Sequence, residues 1–316
     1  MDSRPSLATR FAVQGQTAIF GEHVKTLAST SLVFVVLIFS ACGGGGSPSF
    51  SANGPLSGNW QLNLLQNYPP PSTPLSVSGF FLESDNTLSG SLQGPTIIDP
   101  SGTVSCAGVG QVIGTISSQQ IAFSLNIGGT VFNFTGTVSS DNTTMSGNYQ
   151  ALNGPCFTKP TTGTWSASLI PPLTGTFTGT LSDSQYMQTL TGSNPAAPIA
   201  VSGTLTQTPN VGGNIASLSG TITAVGYPCF ATASMTGTIS GNTVLLSLYG
   251  YNGNLIGSIG LASPAVVTAA STGLSLTTGV NGLSLGPVNS DILTLGPCPI
   301  IQGNTDDEAT VAFTFQ

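Results

Sequence analysis

Positive charge and imidazole are nearly missing from this chain. Its 316 residues include only 4 Lys and Arg, namely Arg4, Arg10, Lys25 and Lys159, and a single histidine, His23. Beyond the first forty residues there is thus one positive charge and no imidazole. Nucleic-acid binding needs phosphate neutralisation by Lys and Arg, so it is excluded. Nearly every mechanism that uses histidine as base, nucleophile partner or metal ligand is excluded with it. Charge of either sign is scarce, at 5% of residues where about a quarter is usual. Helical spacing of apolar residues with start and stop signals is also absent after Ser47. What is present is 39% hydrophobic residues, a mean hydropathy of +0.29, 41 glycines and 21 prolines. A disordered chain would be less apolar and more charged. The composition therefore predicts a folded, turn-rich, all-β protein long enough for two domains.

The N-terminal region reads as an export signal. Leu32 to Phe39, LVFVVLIF, is an apolar run preceded by Lys25 and followed by Ser40, Ala41 and Cys42. It is too short to span a bilayer as a helix, which takes about 20 apolar residues, and has the charged, apolar and small-residue order of a signal peptide over 1–41. Phe39-Ser40-Ala41-Cys42 resembles the lipobox of bacterial lipoproteins, with Phe39 where leucine is usual. That resemblance implies cleavage before Cys42, its lipidation (palmitate among the acyl chains), and a membrane partner reached through the N-terminal lipid. The leader ahead of Leu32 is long and contains Asp2 and Glu22, which suggests a translation start at Val24. Residues 42–53, with the Gly43–Gly46 run, read as a flexible tether. By analogy with lipoprotein sorting in other bacteria, Gly43 rather than Asp after the cysteine points to the outer membrane of the cell envelope.

Removing Cys42 from the five cysteines leaves Cys106, Cys156, Cys229 and Cys298. An even number in an oxidising compartment favours disulfides. The remainder of the chain is two versions of one plan, 54–170 and 173–316, divided at Pro171-Pro172. LSGNWQLNL at Leu56 matches LTGTFTGTL at Leu173, PLSVSGFFL at Pro74 matches PIAVSGTLT at Pro198, and NGPC at Cys156 matches LGPC at Cys298. Pairing within halves follows, Cys106 with Cys156 and Cys229 with Cys298. Each staple closes a loop worth about 4 kcal/mol in the chain-entropy picture. Zinc binding by these thiols is disfavoured because no C-x-x-C pair occurs.

Alternation with period two recurs through both halves, as in Ile121, Phe123, Leu125 and Ile127 or Val311, Phe313 and Phe315, and predicts strands with one buried and one wet face. SDNT at Ser84 and Ser140 and SGNT at Ser240 supply residues that tolerate the positive φ of hairpin turns. About eight strands per half result. The predicted fold is two antiparallel meanders closed as up-and-down barrels, because closure removes sticky edges, with β-sandwiches as the alternative. Gly58-Asn59-Trp60 and the hairpin ending DNTLSGSL from Asp85 resemble the opening of avidin-type and lipocalin-type barrels. That likeness implies an architecture and carries over no binding site.

Candidate chemistry is sparse. Gly282-Leu283-Ser284-Leu285-Gly286 matches a nucleophile elbow, G-x-S-x-G, but no histidine is available to it. Asp306-Asp307-Glu308 lacks the spacing of a calcium loop, and Asp85 and Asp141 are explained as turn residues. Trp60 and Trp165 lie in the first and last strands of the first half, neighbours if the barrel closes. They are either a platform for a sugar or small apolar ligand or packed plugs in the barrel. The expectation is a non-enzymatic, envelope-anchored lipoprotein without cofactor or metal. Its role is binding or interaction: a carrier of a small apolar ligand inside a barrel, or a carbohydrate-binding or adhesion module for a neutral glycan. A carrier needs an unfilled barrel, and a glycan module needs aromatic side chains outside it.

Overall fold

The computed structural model describes residues 54–67, 74–95, 97–98, 104–157, 159–183, 197–208, 213–227, 230–261, 263–270, 273–279, 282–285 and 309–316. The lipobox with Cys42, the tether, the Cys229 and Cys298 pair and the 306–308 acidic run lie outside them. All regular structure among the described residues is β. In the first half the strands are β1 (Gly58–Gln66), β2 (Leu75–Ser84), β3 (Thr87–Gln93), β4 (Ile97–Ile98), β5 (Val104–Cys106), β6 (Val109–Ser117), β7 (Gln120–Ile127), β8 (Thr130–Val138), β9 (Thr144–Ala151) and β10 (Thr161–Ile170). The second half contains β11 (Gly175–Asp183), β12 (Ile199–Gln207), β13 (Ala216–Ala224), β14 (Thr232–Ser240), β15 (Thr243–Tyr249), β16 (Leu255–Ile259), β17 (Ala265–Ala270), β18 (Gly273–Thr278), β19 (Leu283–Leu285) and β20 (Ala309–Phe315).

The first half closes as an eight-stranded antiparallel barrel, β1-β2-β3-β6-β7-β8-β9-β10, with β10 returning to pair with β1 through Trp60↔Leu169 and Leu64↔Trp165. The β4–β5 pair is a small excursion between β3 and β6. The second half closes through β11–β20, with Phe177↔Phe315 and Leu181↔Val311. It also has eight staves, but two of them are broken. β15 pairs with β16 through Leu246↔Ile259 and with β17 through Val244↔Ala265, so β16 and β17 are one stave interrupted after Ile259. β18 and β19 are likewise two pieces of the stave beside β20. Gly260 (φ +90°) and the Gly282 turn sit at the facing breaks, joined by Gly260 N donating to Gly282 O at 2.8 Å. Paired bulges of this kind bend a sheet sharply. Closed sheets exclude the sandwich alternative.

Local chemistry explains the hairpins. Asp85 and Asn86 both have positive φ, 48° and 66°, in the two-residue turn between β2 and β3, the conformation that matches strand twist. In the β8–β9 turn the Asp141 carboxylate accepts from Ser139 Oγ at 2.6 Å and Thr143 N at 3.2 Å. These bonds hold its carboxyl below the usual carboxylate range.

The two interiors are filled differently. Barrel one holds Trp60, Phe81, Phe123, Phe132, Phe134, Tyr149 and Trp165, all buried. Phe123 stacks on Phe134 at 4.4 Å, and Trp165 meets both rings edge-on at 5.5 and 5.6 Å. Leu56 closes one end: its N–H donates to Glu83 Oε2 at 2.8 Å and its carbonyl accepts from Trp60 Nε1 at 2.9 Å. The Cys106–Cys156 disulfide, expected from the repeat, is formed. Barrel two is mainly aliphatic, with Leu205, Leu218, Ile222, Met235, Ile239, Leu246 and Leu248 around the Phe177–Phe313 stack at 4.4 Å. Mid-strand glycines give the bulky rings room. A Cβ on Gly203 would collide with the Phe177 ring and with Thr221 O across the strand.

Candidate functional site

The barrels pack together in one compact unit. Phe80 points outward from β2 and is buried with Ile170 against the apolar cluster of barrel two. Beside it the β14–β15 turn lies on the outer face of β1 and β2. Asn59 Nδ2 donates to Gly241 O at 2.7 Å, and Gly241 N donates back to Asn59 Oδ1 at 2.7 Å. Asn242 N donates to Gln61 Oε1 at 3.3 Å, and the Ser78 and Ser240 hydroxyls bond at 2.9 Å. Gly241 has φ +55°, and a Cβ there would strike Gln61 Oε1. Asn59, the middle residue of the G-x-W run, is therefore a joint residue, a role visible only once a turn 182 residues away is in place. Next to the joint a cleft of about 280 Å³ is lined by Asn59, Phe80, Leu169, Ile170, Pro172 and Gln207.

Trp60 and Trp165 do lie on neighbouring strands, but inside the barrel at 0% and 2% exposure. Their indole N–H groups are spent on Leu56 O and Thr135 O. Neither ring offers a face to solvent; both act as packed plugs. Leu283, Ser284 and Leu285 form strand β19, with Ser284 opposite Ser258. The serine is thus on a sheet rather than on the strand-to-helix turn that presents a nucleophile.

The outside of barrel two carries a pattern the sequence reading did not single out. Strand alternation sends Ser and Thr outward at nearly every polar position, and the register lines them up. Ser275, Thr314, Thr178, Ser202, Thr223 and Thr232 form one row across six strands. Thr176, Thr204, Thr221, Ser234 and Tyr249 form the next. Thr206, Ser219, Thr236, Ser247, Ser258 and Ser284 form a third. Hydroxyls in a row are spaced at the inter-strand distance of about 4.8 Å, and rows on a strand lie about 7 Å apart. Thr204 and Thr221 already touch, Oγ1 to Oγ1, at 3.3 Å. Asp183 is the only Asp, Glu, Lys or Arg among the described residues of this barrel, about 23 Å along β11 from Thr176 by the rise per residue.

The middle row ends at Tyr249, the last residue of β15, which faces Leu255 of β16. Tyr249 is half-buried, and two residues on, Tyr251 is fully exposed at 102%. Among the described residues it is the one aromatic wholly in water. Its turn is fixed by Gly250 N donating to Asn254 O at 2.9 Å, Gly253 N to Gly250 O at 2.9 Å and Asn254 N to Asn252 Oδ1 at 3.1 Å. The [Ser/Thr]-Gly-[Ser/Thr] triplet recurs through barrel two, as TGT in β11 and SGT in β12, but also through barrel one, as SGS in β3 and TGT in β8 and β10, so no local signal singles this surface out.

No protein-family model, curated protein or solved structure matches the chain.

Proposed function

We propose that this protein is an exported, non-enzymatic interaction module, anchored to the bacterial outer membrane through lipid on Cys42, that meets a neutral polar partner with the outer face of its second barrel. The observation that carries the reading is the set of aligned, uncharged hydroxyl rows. A charged ligand would need fixed charges to pair with, and among the described residues these rows contain none. Hydroxyl rows both donate and accept hydrogen bonds, which suits a partner made of hydroxyl groups. The packed interiors speak against cargo inside either barrel, since a small apolar ligand would have to displace stacked rings.

Affinity electrophoresis of the full chain through gels containing dextran, mannan, β-glucan or alginate tests the reading. Retardation by at least one neutral polysaccharide, unchanged between low and high salt, is expected, because screening acts only on charge interactions. Retardation by alginate alone, lost in salt, would overturn it.

A second reading rests on the cleft beside the joint. Its Phe80, Ile170 and Pro172 walls and Asn59 and Gln207 polar groups suit a small apolar molecule with one polar end. A raised unfolding temperature with such a molecule, cancelled in Leu169→Trp, would support it; no shift with any of a panel of small aromatic alcohols would remove it.

A further inference from the structure

We infer that Tyr251 is the stacking residue of a neutral pyranose-binding site, and that the row running from Tyr249 to Thr176 is the track for the sugar chain beyond it. This rests on the glycan-module reading above and deepens it. Holding a phenol ring in water forgoes the burial that every other described aromatic obtains at least in part, and burial of apolar surface stabilises a fold. The turn that carries it is pinned by three hydrogen bonds, so the backbone is already ordered before any ligand arrives, which lowers the entropic cost of binding. A ring face is apolar and electron-rich and packs against the C–H face of a sugar ring. Asn252 and Asn254, both exposed on the same turn, supply side-chain amides beside it for sugar hydroxyls. From Tyr249 four strands of the middle row follow, Ser234, Thr221, Thr204 and Thr176. They extend about 19 Å from Tyr249 at the inter-strand spacing, enough for several sugar units rather than one. The absence of nearby Asp, Glu, Lys or Arg among the described residues directs the site to uncharged sugars.

The test uses the same gels with wild type, Tyr251→Ala, Tyr251→Phe and the double variant Thr204→Val/Thr221→Val. Because Tyr251 touches no core residue, Tyr251→Ala should fold as wild type, which the circular dichroism and melting curve report. Tyr251→Ala should bind the retarding neutral polysaccharide about tenfold more weakly, Tyr251→Phe should bind nearly as wild type, and the double variant should lose affinity for long chains while binding short oligosaccharides normally. If Tyr251→Ala is retarded as strongly as wild type while the double variant is not, the stacking site is wrong and the neutral-glycan reading stands. If no neutral polysaccharide retards the wild type, both fall.

Discussion

Barrel one and barrel two share a strand plan and outward-facing Ser and Thr, and differ in core, staple and continuity of their staves. The first is filled with stacked aromatic rings, holds both tryptophans, is stapled by Cys106–Cys156 and displays Asp85, Asp141 and Lys159 on its surface. The second has a mostly aliphatic interior, two broken staves and an outer face of hydroxyls. A meander that keeps period-two alternation and closes its last strand on its first thus accepts either kind of core. The stapled barrel comes first in the chain after the proposed anchor, and the second barrel carries the rows proposed to meet the partner.

The comparison breaks most readily in the aromatic core. Phe134→Ala removes a ring in contact with Phe123, Tyr149 and Trp165 and should cost about 3–5 kcal/mol, seen as a lower urea midpoint by tryptophan emission. Leu246→Ala in barrel two should cost less, about 2–4 kcal/mol. Equal or reversed losses would show that the stacked core is not the more cooperative one. Replacing Cys106 and Cys156 by alanine should cost about 2–4 kcal/mol, again reported by Trp60 and Trp165, which both lie inside the stapled barrel.

At the joint, Gly241→Ala forces a side chain into φ +55° and onto Gln61. About 1–3 kcal/mol should be lost, and a single transition should split, with tryptophan emission and far-ultraviolet dichroism no longer coincident. Coincident curves would mean that the Asn59–Gly241 bonds do not couple the barrels.

A smaller effect concerns Tyr149, whose hydroxyl is buried without a hydrogen-bond partner. Burial raises its pKa above the usual value. The neutral phenol is favoured in the native state, so this stabilisation is complete below the unfolded value near 10 and is lost as pH rises through the folded pKa. Tyr149→Phe should leave stability at pH 7 unchanged or up to about 1 kcal/mol higher and flatten the alkaline loss. Asp141 acts in the opposite sense. Its lowered pKa gives a stabilisation present above the unfolded carboxylate value near 3.9 and lost as pH falls through the folded pKa. That slight acid loss should be missing in Asp141→Asn.

Much of this architecture is local and could be read early. Ile121, Phe123, Leu125 and Ile127 alternate without interruption, and Asp85-Asn86 names its own turn, so the strands and the Cys106–Cys156 pairing follow from the residues, whereas alternation is the same in a barrel and a sandwich and closure needs the β1–β10 and β11–β20 pairings. The broken staves did not, because LIGSI, AVVTAA and GLSLTT are too short and too similar to reveal which pieces share a stave. Trp60 and Trp165 were found as neighbours, yet burial of their faces depends on Phe81, Phe123 and Phe134 arriving from three other strands. Tyr251 carries no local signal, because Gly-Tyr-Asn-Gly-Asn reads as one more turn; its isolation appears only when every other described aromatic has found cover. The hydroxyl rows exist only through register, which no single strand contains.

The proposal that the molecule binds outside rather than inside is tested most directly by following tryptophan and tyrosine signals together while a retarding neutral polysaccharide is titrated at low and high salt. Binding that perturbs tyrosine absorption, leaves the emission of buried Trp60 and Trp165 unchanged and does not vary with salt is the predicted result. Quenching of tryptophan emission on binding, or binding that disappears as salt is raised, would contradict it.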